Sequence, residues 1–181
     1  MKTNTKHFKL ILASLFLALS YILPFFTGQI PEIGAMLCPM HIPVLLCGFI
    51  CGPSWGLVVG FVAPLLRSLT LGMPPLFPTA VCMAIELSIY GLISGIMCKL
   101  LPKKLPYIYF SLLTAMVVGR MAWGFAMLIS MGAKGMSFGA SAFFVGAVIN
   151  SLPGIILQIV FVPFIVKLVY KKNNLSMEES L

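Results

Sequence analysis

A chain of 181 residues that is 60% hydrophobic and only 9% charged, with a mean hydropathy of +1.08, lies far from the roughly quarter-charged composition of soluble domains. It reads as an integral membrane protein, and its formal charge of +8 comes without the basic patch interleaved with aromatics that would mark a nucleic-acid surface. The apolar runs are longer than the about ten residues of a barrel strand and do not alternate, which leaves helices, whose backbone donors find partners within their own segment.

At about 20 residues per crossing, the sequence predicts six spans in chain order: 8–26, 34–51, 54–71, 76–98, 107–131 and 141–170. Gly and Pro clusters supply the cuts, at Thr27 through Pro31, Gly52-Pro53, Gly72 through Pro75, Pro102 through Pro106 and Gly132 through Gly139. The expected fold is all-α: one compact bundle of six transmembrane helices over 1–181, with 171–181 as a short, disordered cytoplasmic tail. The first span follows Lys2, Lys6 and Lys9 but lacks a small-x-small cleavage site, so it is expected to be retained rather than removed as a signal. Those lysines, with Lys99, Lys103 and Lys104 in the fourth connection and Lys167, Lys171 and Lys172 near the end, all fall on one side of an even-span topology, against Lys134 on the other. The positive-inside rule then places both termini in the cytoplasm.

With the anchoring lysines set aside, few ionisable groups remain: Glu32 outside the second span, His41 in it, Arg67 in the third, Glu86 in the fourth and Arg120 in the fifth, with the amide of Asn150 in the sixth. A charge at the bilayer centre costs about 2.5–3.5 kcal/mol on insertion scales, so such groups face a bundle interior or a cavity. By helical rise His41 lies about 10 Å below the outer surface, Arg67 about 6 Å, and Glu86, Arg120 and Asn150 about 15 Å. The asymmetry predicts a pocket open to the outside. Two arginines against one carboxylate leave about one positive charge uncompensated, and the guanidinium fork suits carboxylate or phosphate. Arg67, nearest the entrance, is the first candidate to receive an anion; Glu86 and Arg120 form either a structural pair at the floor or part of the ligand site. His41 can equally bond a carbonyl freed by Pro39 or Pro43, which with Pro64 and Pro78 remove backbone donors near the same level. The Gly- and Ser-rich segment GAKGMSFGAS at 132–141 is either a lid or an ordinary loop.

Cysteines 38, 47, 51, 82 and 98 have neither metal-ligand spacing nor a CxxC, and read as small apolar thiols with no metal and no cofactor. No GxxxxGK[ST] phosphate loop is present. One histidine within the predicted spans, without a nucleophile motif, argues against an intramembrane enzyme.

The run IPVLLCGFICGPSWGLVVGF at 42–61, an apolar helix ending in Gly-Pro-x-x-Gly and turning directly into another span, resembles the membrane-embedded substrate-binding (S) components of energy-coupling factor (ECF) transporters. The resemblance implies a vitamin-capturing protein of the bacterial cytoplasmic membrane, without its own motor. It would bind its vitamin from outside and join a transmembrane coupling (T) protein and two cytoplasmic ATPases. It further implies a small-xxx-small docking surface on the first helix, for which Ser14 and Ala18 are the nearest match, with serine where the family pattern has alanine. GAMLCPMHIPVLLCG followed by PLLRSLTLGMPPLFP leans toward pantothenate-type members, and pantothenate's one carboxylate agrees with the charge count. The competing reading is a self-sufficient secondary transporter or channel for a small anionic solute, although no internal repeat of the kind common in such carriers is visible.

Overall fold

The computed structural model describes residues 5–27, 30–135 and 139–178, and all regular structure among them is helical. Helix α1 (Thr5–Ile22) passes into a 3-10 turn at Leu23–Thr27, followed by α2 (Pro31–Leu37), α3 (His41–Cys51), α4 (Pro53–Leu71), α5 (Val81–Leu100), α6 (Leu105–Ala133), α7 (Ala140–Phe144) and α8 (Leu152–Glu178). π-type turns at Leu76–Ala80 and Val145–Ile149 lead into α5 and toward α8. Five stretches are long and apolar enough to cross a membrane: Lys6–Phe26, Pro53–Leu71, Leu76–Leu100, Leu105–Ala133 and Val145–Tyr170. Lys2, the middle of the 132–141 segment and the end of the tail lie outside the described residues.

The span expected at 34–51 is not one helix. Cys38 takes a left-handed conformation, φ 47°, closing α2 through its N–H to the Gly34 carbonyl at 3.1 Å. Pro39 has no N–H to continue the ladder and disfavours helical geometry in the residue before it. The chain restarts when His41 N–H reaches the Cys38 carbonyl at 3.1 Å. The 11-residue α3 is only about 16 Å long, too short to span alone, and is buried on nearly every face. The end of α8 also differs from expectation: it remains helical to Glu178, past the predicted limit of 170. No Gly or Pro interrupts residues 164–178, so nothing in the local sequence stops the helix.

Helix α5 is the hub, packed on α3, α4 and α6; half of its most apolar window, 50%, is buried inside the protein, against 22% for the first span. Glycines bring its neighbours close. A Cβ at Gly56 would overlap the Gly91 carbonyl, one at Gly60 the Leu87 carbonyl, and one at Gly95 would fall 2.5 Å from Pro53 N. Gly48 of α3 abuts the same Gly91. Backbone-to-backbone contact of this kind is how membrane helices gain dispersion energy where no hydrophobic force joins them. The Gly-Pro turn has its own reason: Gly52, at φ 103°, occupies backbone space closed to other residues, and Pro53 then opens α4 where no donor is needed.

Candidate functional site

The break before α3 and the close packing of α5 gather a polar layer within the bundle. Glu86, on the buried face of α5, is 1% exposed. Its Oε1 forms an ion pair with Arg120 Nη1 of α6 at 3.0 Å and lies 3.5 Å from Nε2 of His41, the first residue of α3. One turn along α5, the fully buried Tyr90 sets its ring edge-on to His41, centroids 5.2 Å apart. Gly119, next to Arg120, makes room for that ring, since a Cβ there would sit 2.7 Å from Tyr90 carbons. Arg120 also donates through Nη2 to Cys38 Sγ, 3.6 Å away, at the left-handed residue that ends α2. Four parts of the chain thus converge on one carboxylate.

The pair is expensive to bury and holds only where the geometry is good and the remaining valences are met. They are not all met: among the described residues His41 Nδ1 and Arg120 Nε are buried without a hydrogen-bond partner. One carboxylate opposite one guanidinium leaves the layer close to neutral when His41 is uncharged. It can therefore offer directed donors and acceptors, with Arg120 Nε as a charged donor that has no acceptor among the described residues.

The structure brings together three of the expected site residues, His41, Glu86 and Arg120, and places two elsewhere. Arg67, 4% exposed, donates through Nη1 to the Tyr21 carbonyl at 2.8 Å and lies over the Phe25 ring, 4.9 Å from its centroid. There it ties α4 to the end of α1, where helix carbonyls lack intrahelical partners. Asn150 is exposed, its backbone N–H closing the π turn on the Val145 carbonyl at 2.9 Å. Ser14 and Ala18 are exposed on α1 and, with Leu17, Tyr21, Leu66 and Thr70, line a groove of about 440 Å³ between α1 and α4. Sequence reasoning missed Tyr90, Cys38 and the fully buried Gln158 as members of the polar interior. A neutral amide within the apolar run IILQIVFV was the available signal for the last of these.

A family model described as ECF transporter, substrate-specific component, matches residues 8–166, from α1 through most of α8. The chain belongs to that family. No curated protein and no solved structure matches it. This S component is therefore a transporter subunit and not a member of an enzyme family, and its five long apolar helices are those of a multi-pass membrane protein.

Proposed function

We propose that this S component captures a small vitamin-like molecule in the layer formed by His41, Glu86, Tyr90 and Arg120, and delivers it with a coupling protein and two ATPases. The observation that carries the reading is the convergence of α3, α5 and α6 on the buried Glu86 carboxylate beside a broken helix. Discontinuous helices in membrane transporters expose backbone and side-chain groups where solute binds. Arg120 Nε, a buried donor without an acceptor among the described residues, is suited to a carboxylate or carbonyl of the solute. A vitamin bearing a carboxylate or carbonyl is the class to test, with pantothenate first.

In this reading both termini are cytoplasmic, the layer is reached from the outer face, and the groove beside Ser14 and Ala18 receives the coupling protein. Small side chains there let a second helix approach closely. Arg67 acts as a strut that holds the α1 end against α4.

Native mass spectrometry of the chain purified from rich medium tests the reading. One small molecule per chain is expected, with concentrative uptake only when the ATPase and coupling partners are co-expressed. Ser14→Leu or Ala18→Leu should leave binding within about threefold and reduce uptake at least about tenfold. An empty chain that binds no vitamin, or gradient-driven uptake by the chain alone in liposomes, overturns it.

A further inference from the structure

Gln158 of α8 is 0% exposed, and neither its Oε1 nor its Nε2 has a hydrogen-bond partner among the described residues. A buried amide left in this state is costly, and native interiors seldom hold one without cause. Its level in the bundle follows from two contacts between α8 and the α2–α3 stretch. Gly154 lies against the carbonyls of Met36 and Leu37, and the Tyr170 hydroxyl donates to the Phe49 carbonyl at 3.2 Å. The two segments therefore run parallel in register, and one helical turn beyond Gly154, about 6 Å, brings Gln158 to the level of Met40 and His41. Positions 154 and 158 share a helix face, so the amide is on the side of α8 that meets the helix break. At that level His41 Nδ1 and Arg120 Nε are also without partners.

We propose that Gln158 is a specificity-determining residue of this S component, and that its ligand carries an amide-like group with an N–H donor and a C=O acceptor. The inference rests on the polar layer being the ligand site. A carboxamide side chain presents an N–H donor and a C=O acceptor side by side, the pair that an amide edge on a ligand can meet with two hydrogen bonds. A site that leaves such a group unpaired rejects ligands unable to satisfy it. Arg120 Nε and Gln158 would then read two features of one molecule, a charged or carbonyl acceptor and an amide.

The test compares wild type with Gln158→Met, close in volume, and with Gln158→Leu as a second shape. Binding is measured on the purified chain with pantothenate, nicotinamide and biotin, which carry the amide-like edge, and with nicotinate and lipoate, which lack it. Wild type is expected to bind one of the first three, and both variants to lose at least tenfold in affinity for it. Without ligand the variants should unfold at the same temperature as wild type or higher, because an unpaired buried amide has been removed, while the ligand-induced rise disappears. Affinity within threefold of wild type, a lower unfolding temperature of the empty variants with affinity retained, or wild-type binding confined to nicotinate or lipoate overturns the role of Gln158 and leaves the capture function standing. Wild type that binds none of the five but copurifies with another small molecule lacking an amide overturns the role of Gln158 alone, and wild type that binds none and is empty by native mass spectrometry overturns both.

Discussion

Two arginines in neighbouring parts of the bundle meet different partners, and the difference decides what each can do. Arg120 Nη1 lies 3.0 Å from a carboxylate that is 1% exposed, whereas Arg67 Nη1 is held 2.8 Å from the Tyr21 carbonyl. Removing one member of a buried pair strands the other charge, at about 3–5 kcal/mol; losing a hydrogen bond to a charged group costs about 1.5–3 kcal/mol. Glu86→Gln is therefore expected to lower the unfolding midpoint in detergent sharply and to weaken ligand binding at least tenfold, because Arg120 loses the partner that orients it. Arg67→Met should lower the midpoint less and leave affinity within threefold. A tenfold loss of affinity in Arg67→Met with its midpoint intact would return Arg67 to the ligand site.

At the scale of helices, the contact of α3, α4 and α5 depends on having no side chain at Gly48, Gly56 and Gly91. Overpacking generally costs about 1–3 kcal/mol, and here the obstruction at position 56 is backbone, which cannot rotate away. Gly56→Val is expected to destabilise by at least about 2 kcal/mol and to loosen the polar layer, since α5 carries Glu86 and Tyr90 next to that contact. A Cβ at Gly132 of α6 would meet nothing within 4 Å among the described residues, so Gly132→Ala should be neutral or stabilise by about 0.5–1 kcal/mol. Thermal unfolding of the two variants side by side checks the contrast; equal effects would show that the close helix approach does not govern stability. The break between α2 and α3 works at the same scale, placing His41 at a helix start inside the bundle rather than midway along a continuous span.

For the whole molecule, the distribution of lysines supports the proposed orientation, with both termini in the cytoplasm. Lys104 and Lys134 are both exposed, at opposite ends of α6. In a variant with the native cysteines replaced, Lys134→Cys should react with a membrane-impermeant thiol reagent on intact cells and Lys104→Cys only after permeabilisation, as positive-inside placement requires. The reverse pattern would turn the protein over and put the polar layer's access on the cytoplasmic side.

Composition and hydropathy were enough to establish a helical membrane protein, because the need to satisfy backbone groups without water leaves few alternatives. The cost of charge in hydrocarbon likewise made His41, Glu86 and Arg120 visible as interior groups. Partner choice was not legible. Arg67 and Arg120 look alike in sequence, and only the packing of α1 on α4 and of α6 on α5 decides which meets a carbonyl and which a carboxylate. The Cys38 break depends on one backbone dihedral, for which Pro39 was a hint and not a proof. Gln158 escaped because a neutral amide carries little weight in a hydropathy reading; its meaning arises from the register of α8 against α3, a long-range relation that no local spacing records.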